Sequence, residues 1–386
     1  MPPAEKILRC FQCTGDWPRR EPSLCRRGAW CSLTRKMTLD SGLLIEENHP
    51  LAPLTTLGIG GPARWYTRLT SESQLVDAFT WARERHLPVF VLGGGSNLVV
   101  ADSGFDGLVV QPALRGIARS YRADLCLFRA AAGELWDNFV AETIAANCSG
   151  IECLAGIPGT VGGTPVQNVG AYGQEVAETI RRVRVLDRES LQFHEMEAPE
   201  CGFAYRRSIF NSTVRNRFVV TAVEFGLVPG GAPSLRYADL QRTFAAQPQP
   251  TLAAVADAVR SIRRGKGMLL VPGDPDARSA GSFFRNPVIS AAEFDALAKR
   301  LGAPPPCYPS TAGSVKLPAA WLIEQAGFAR GFRQGNVGIS SRHTLALIHY
   351  GGGTAAELLA LRDRIAFAVR DRFGIDLEME PVLLGF

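Results

Sequence analysis

Residues 155–173 read AGIPGTVGGTPVQNVGAYG, with six glycines, two prolines and no charge in nineteen residues, in a chain of 386 whose residues are 20% charged. Glycine lets a backbone approach a ligand closely and take positive φ, and successive N–H groups in such a turn form a concavity suited to an anion. A second patch, LGGGSNLVV at 92–100, follows the apolar run LPVFV and repeats this chemistry. One glycine cluster alone reads as a structural turn. Two, each ending in Asn, imply a dinucleotide held by backbone rather than by charge. GIGG at 58–61, GGGSN at 93–97 and GIPGTVGG at 156–163 all miss the G-x-G-x-x-G spacing, and GxxxxGK[ST] is absent. If a dinucleotide sits here, the fold differs from both common nucleotide folds.

Length predicts two or three domains, and 46% hydrophobic content is enough for buried cores. No apolar run approaches the roughly 18–20 residues of a membrane helix. The net charge of +5 lies entirely in residues 1–36, which hold eight Lys/Arg and three Asp/Glu; the remainder carries 34 of each sign. No basic face for nucleic acid is expected beyond that tail. The tail lacks apolar periodicity and a signal-peptide core. Its Cys10, Cys13, Cys25 and Cys31 have spacings of which only the first pair resembles a zinc half-site. It is expected to be a disordered extension ahead of a start at Met37, with no metal. Cys126, Cys148, Cys153, Cys201 and Cys307 read as reduced core thiols, which with the odd cysteine count suggests a cytoplasmic protein.

The rest divides into three blocks. From 48 to 112 the pattern is a loop, a strand at RWYTRL, a helix from the Ser71 cap to about Arg85, and strands at 88–92 and 97–101. From 113 to 265 come strands at 125–131, 182–187 and 217–227, a helix at 134–146, the long glycine loop, and a helix at 251–264 ending in Arg260, Arg263, Arg264 and Lys266. After the linker MLLVPGDPDARSAG, helices are expected near 290–302, 318–326 and 353–373, with strands at 344–349 and over the terminal DLEMEPVLLGF.

GGGSNL at 93–98, AGIPGTVGGTPVQNVGAYGQE at 155–175, YRRSIF at 205–210, AGSFFRNP at 280–287 and EMEPVLLG at 378–385 resemble, in order, the signature segments of the UDP-N-acetylenolpyruvoylglucosamine reductases, also called UDP-N-acetylmuramate dehydrogenases. The resemblance spans about residues 43–386. It implies an α+β fold: a vanillyl-alcohol-oxidase-type two-part FAD-binding domain, 37–112 (with the terminal strand 375–386) and 113–267, plus a smaller α+β substrate-binding domain, 278–374. It also implies a monomeric enzyme of bacterial peptidoglycan precursor synthesis. Hydride would pass from NADPH by way of non-covalent FAD to the vinyl methylene carbon of UDP-N-acetylglucosamine enolpyruvate.

Negative charge then develops toward the substrate carboxylate, so partners that stabilise it only in the transition state are what accelerate the step. Three positions match the family's residues for this work. Arg206, the first arginine of YRRSIF, would face the developing enolate with two parallel N–H groups, and Arg207 would turn to solvent or to a phosphate. Ser282 would donate the proton, with Phe283 and Phe284 excluding water. Glu380 would act with Arg206, and needs a carboxyl raised by burial; in a strand it would share a face with Glu378. Without the resemblance, adjacent arginines read as a solvated face, the serine as a cap and the glutamates as an edge strand.

By the same resemblance, Tyr237 and Lys266 would hold the substrate diphosphate, Asn286 would lie near the uridine, and His343 would make a polar substrate contact. Gly93, Gly94, Gly95, Ser96 and Asn97 would meet the FAD pyrophosphate, with Gly156, Ile157, Pro158, Gly159, Gly162 and Gly163 opposite, and Asn168, Gly170 and Ala171 at the isoalloxazine edge. Pro381 and Val382 stand where some members carry a basic residue, so no flavin phosphate contact is expected there. The alternatives are an alcohol or sugar oxidase on the same scaffold, or a flavin or nucleotide-sugar binding protein without chemistry. No histidine lies in either glycine loop to link a flavin covalently, and the five histidines form no metal-hydrolase set.

Overall fold

A computed structural model describes residues 35–39, 42–247, 249–310 and 313–386. The extension over 1–36 and its four cysteines lie outside them, save for Arg35 and Lys36. Lys36 already belongs to a strand, Lys36–Thr38, paired with Leu44–Pro50.

The first sheet orders its strands as Lys36–Thr38, Leu44–Pro50, Pro62–Leu69, Phe105–Pro112 and Val89–Val91, the last three mutually parallel. Helix Glu72–Glu84 covers it. Ser71 Oγ accepts from Gln74 N to start that helix, and Leu75, Ala78, Phe79 and Ala82, at helical spacing, are buried against Leu69, Leu108 and Val110. The second sheet is antiparallel throughout, in the order Phe193–Glu197, Ile180–Asp187, Phe218–Pro229, Leu125–Ala131, Ile117–Arg122. Helix Trp136–Ala145 packs on it through Trp136 and Phe139, which meet Phe128 and Phe225, and helix Leu252–Gly265 adds Val255 and Val259 to the same core from against the Glu152–Leu154 turn. Truncating one of these aromatics to alanine would cost roughly 3–5 kcal/mol.

The C-terminal unit holds two small three-stranded sheets, Val288–Ser290, Ser314–Lys316, Tyr308–Pro309 and Arg333–Gln334, Val337–Ile339, Leu347–His349, with helices Ala291–Leu301, Ala319–Gln325 and Ala355–Phe373. Strand Val382–Leu384 then returns to pair in parallel with Leu98–Val100. The Asp102 carboxylate accepts from Ala355 N and Ala356 N, so the first unit caps the longest helix of the third.

The terminal strand is shorter than expected. Residues 376–381 form only a bridge, Met379 to Phe284, and Pro381 supplies no N–H to continue a ladder. Glu378 and Glu380 consequently part: Glu378 is exposed beside Arg285, whereas Glu380 turns inward. Strand Ile117–Arg122 escaped the sequence reading because five of its six residues are exposed, leaving no apolar alternation. RYADL opens a short helix, Ala238–Thr243. Cys307 is exposed, a correction to its assignment to a core; the other four described thiols are buried.

Candidate active site

A cavity of about 940 Å³ runs between the two larger sheets and the C-terminal unit. Its floor is the pair of glycine loops. A Cβ on Gly94 would stand 2.5 Å from Gly159 Cα, and one on Gly95, where φ is 63°, would stand 2.0 Å from Leu54 O. Ser96 Oγ donates to Pro158 O at 3.0 Å and closes the seam between the loops. Asn97 joins them to the chain terminus: its Nδ2 donates to Glu380 O at 3.2 Å, and its carbonyl accepts from Val382 N at 3.0 Å.

Gly93 to Asn97, Ile157, Pro158, Gly159, Gly162, Gly163, Gly170 and Ala171 all line the cavity. Gly156 and Asn168 do not. Gly156, at φ 72°, lies against Leu269 and Arg260, its N–H bonded to Asp137 and its carbonyl to Arg263. Asn168 is buried as a latch, donating to Glu175 and to Ala204 O and accepting from Ala177 N.

Arg206, Ser282 and Glu380 line the same cavity. Arg206 sits at φ 53°, donates from Nη2 to Gly170 O at 2.5 Å, and approaches Glu380 Oε1 with Nε at 3.4 Å. Backbone pairing brings the serine alongside, since Glu380 N donates to Phe283 O at 2.9 Å and Phe283 N to Leu345 O at 2.7 Å. Ser282 Oγ makes no hydrogen bond among the described residues. Phe283 and Phe284 do not line the cavity; they are buried in the C-terminal core and anchor Ser282 from behind. Arg207 is exposed and outside the cavity. Burial pushes the Glu380 carboxyl above the usual carboxylate range, against the pull of Arg206 and Arg285.

Tyr237, Lys266, Asn286 and His343 line the other end. Lys266 Nζ is 3.2 Å from Asp239 Oδ2 and lies 5.6 and 5.7 Å from the ring centroids of Tyr172 and Tyr237. Burial opposes its charge, but those rings' hydroxyls and Asp239 hold its pKa above the ordinary lysine value. Asn286 Oδ1 accepts from Ala319 N, which leaves its amide nitrogen for the cavity. Burial, with Lys266 adding, lowers His343 to about 4, so the ring is neutral near pH 7.

Among the lining residues that escaped the sequence reading as site residues are Arg188, Arg215, Arg263 and Leu270. Arg263 was visible only as part of a cationic helix end. It is 7% exposed, donates to Gly156 O and Met268 O, and has no carboxylate partner among the described residues. Asp137 acts on it from a distance but is paired with Arg260, so Arg263 adds a cation to the backbone amides of the cavity. The terminal Val382 to Gly385 also line the cavity and bring only apolar and backbone groups. Floor, volume and unpaired cation all suit a dinucleotide. No group of three or more His, Cys, Asp or Glu among the described residues could hold a metal, and no described helix is long and apolar enough to cross a membrane.

Comparison with known proteins gives the same picture. Residues 63–192 match the FAD binding domain model, and residues 274–384 match the model of the UDP-N-acetylenolpyruvoylglucosamine reductase C-terminal domain. The UDP-N-acetylenolpyruvoylglucosamine reductase of Thermobifida fusca is 47% identical over 349 residues, covering 88% of this chain and 98% of that one. Its counterpart in Streptomyces coelicolor is 44% identical, covering 88% and 91%. The crystal structure of the Thermus caldophilus reductase superposes with a TM-score of 0.60 at 26% identity, covering 89% of this chain and 99% of that one. Two family models side by side and near full-length relatives make this chain a member of the UDP-N-acetylenolpyruvoylglucosamine reductase family.

Proposed function

We propose that this protein catalyses the NADPH-dependent reduction of UDP-N-acetylglucosamine enolpyruvate to UDP-N-acetylmuramate, a step of bacterial peptidoglycan precursor synthesis. The observation that carries the reading is the convergence of Arg206, Ser282 and Glu380 on one cavity floored by two glycine-rich loops. FAD bound on the glycine loops would supply hydride transfer from NADPH to the vinyl carbon. The two loops and Arg263 would hold its diphosphate region.

The chain's own residues then manage charge and proton. As the C=C bond takes up hydride at its methylene carbon, the electron pair moves to the neighbouring carbon and into the carboxylate. Arg206 stabilises that charge with a guanidinium that cannot lose its proton. Glu380 shares the position, and burial, which raises its carboxyl, favours its neutral form there. Ser282 gives its hydroxyl proton to the carbanionic carbon, and water restores it. Lys266 and Tyr237 hold the substrate diphosphate, with the neutral His343 and the Asn286 amide as hydrogen-bonding neighbours.

Two half-reactions observed separately test this. In FAD-loaded protein, NADPH should bleach the flavin and UDP-N-acetylglucosamine enolpyruvate should restore its colour. In Ser282→Ala, bleaching should persist at the wild-type rate while recovery slows by about 10²–10⁴-fold, the range of lost general acid catalysis. Equal slowing of both steps would remove Ser282 from its role, and rapid recovery with air alone would point to an oxidase.

A further inference from the structure

The turn that carries Arg206 is unfavourable by itself and is held from outside. Ala204 N donates to Arg207 O at 2.9 Å and Arg207 N to Ala204 O at 3.0 Å, so Tyr205 and Arg206 form the tip of a two-residue turn. Arg206 has φ 53°, whereas Tyr205 is not among the residues with positive φ. Positive φ at the second tip position alone is the pattern of a type II turn, where glycine is the usual occupant because a Cβ is disfavoured there. A residue kept in such a conformation needs surroundings that over-determine it.

Asn168 Nδ2 on Ala204 O and Asn211 Nδ2 on Arg206 O brace the turn from within the second unit, and the Tyr205 ring ties it to the C-terminal unit. Lys316 Nζ lies 3.8 Å from its centroid, and Arg206 Cζ lies 5.2 Å away. Lys316 ends strand Ser314–Lys316 of the C-terminal unit, while the turn lies between the strands Phe193–Glu197 and Phe218–Pro229 of the second sheet. Neither Lys316 nor Tyr205 lines the cavity. Lys316 has no ion-pair partner among the described residues; its ammonium is half-buried, with Glu175 and Arg206 as the charges acting on it. Its identifiable contact is the aromatic face, which a cation recognises through the ring quadrupole.

We propose that Lys316 is a positioning residue for reduction of the enolpyruvyl ether, acting through Tyr205. Its cation on the ring locks the 204–207 turn and thereby fixes Arg206 against Gly170 O and Glu380. Because Lys316 belongs to the C-terminal unit, the aim of Arg206 depends on that unit being docked. This rests on the reaction proposed above.

The test uses full-length, FAD-loaded protein and three variants. Lys316→Met keeps the stem and loses the charge, Tyr205→Leu loses the ring, and Lys316→Arg keeps a cation. Bleaching by NADPH should stay within about twofold of wild type in all three. Recovery at saturating UDP-N-acetylglucosamine enolpyruvate should slow about tenfold in Lys316→Met and in Tyr205→Leu, no further in the double variant, and recover to within about threefold in Lys316→Arg. Amide hydrogen exchange at 204–207 should quicken in Lys316→Met while strands Leu125–Ala131 and Phe218–Pro229 keep their protection. A wild-type recovery rate in Lys316→Met, single effects that multiply in the double variant, or unchanged exchange at the turn would overturn the proposal. If Lys316→Met does not fold, Tyr205→Phe against Tyr205→Leu decides the same point, since only the former keeps the ring. Failure of wild-type protein to recover with the enolpyruvyl substrate would instead sink the functional reading, and the exchange comparison would still judge Lys316.

Discussion

Burial shifts His343 and Glu380 in opposite directions with one consequence: both neutral forms are favoured inside the cavity. For His343 this has a measurable sign. Its folded-state value of about 4 lies below the 6.5 of an unperturbed histidine, so between these pH values the unfolded chain binds a proton that the folded chain does not. Stability from this residue is full above about pH 6.5 and is lost as pH falls toward 4, to an extent of about 3 kcal/mol. His343→Gln should therefore have a flatter dependence of Tm on pH across that window than wild type. Parallel curves would show that His343 is solvated in solution. His349, also lowered by burial, remains in both proteins and cancels in the comparison.

At the scale of elements, the glycine loops were legible because composition alone told of a surface without side chains, and helices Glu72–Glu84 and Leu252–Gly265 because caps and apolar spacing agreed. Asn168 shows the limit. It ends a loop whose pattern announces a ligand, yet its amide closes the loop on Glu175 and Ala204, and a motif does not say which of its members face inward. Arg188 and Arg215 were hidden for the complementary reason: they are isolated basic residues in ordinary surroundings, and Arg188 reaches the cavity only through tertiary contacts with Val89 O and Asn216 O. Arg206, Ser282 and Glu380 could be named only through the family resemblance, because each alone has a commoner structural explanation. Gly94→Ala places a methyl 2.5 Å from Gly159 Cα, and both sides of that contact are backbone, so the loops must separate. Overpacking of this kind costs about 1–3 kcal/mol, which corresponds to a loss of FAD affinity of roughly 5- to 150-fold. Flavin retention after dialysis should fall accordingly, whereas Gly265→Ala, outside the cavity and with nothing within 4 Å of its Cβ, should retain flavin like wild type.

For the whole molecule, the C-terminal unit must be held at a distance from the loops that lets a substrate lie between Ser282 and Arg206. A few polar contacts set this. Thr56 Oγ1 donates to Ser279 O at 2.6 Å, Asp102 caps helix Ala355–Phe373, and Arg342 gathers the junction. Arg342 Nε donates to Asp276 Oδ2 at 3.0 Å, Nη1 to Arg264 O at 3.0 Å, and Nη2 to Asp274, so one guanidinium ties the second unit's last helix to the linker at the entrance of the third. Its neighbour in sequence is His343, at the substrate end of the cavity. Arg342→Met should leave FAD affinity within about twofold of wild type, because the glycine loops lie elsewhere, but raise KM for the enolpyruvyl substrate about tenfold with a smaller change in kcat, as expected when ground-state and transition-state binding weaken together. Arg342→Lys should recover little, since an ammonium cannot reach three acceptors in the plane of a guanidinium. A drop in FAD affinity as large as the rise in KM would place the role of Arg342 in supporting the cofactor floor rather than in orienting the unit that closes over the substrate.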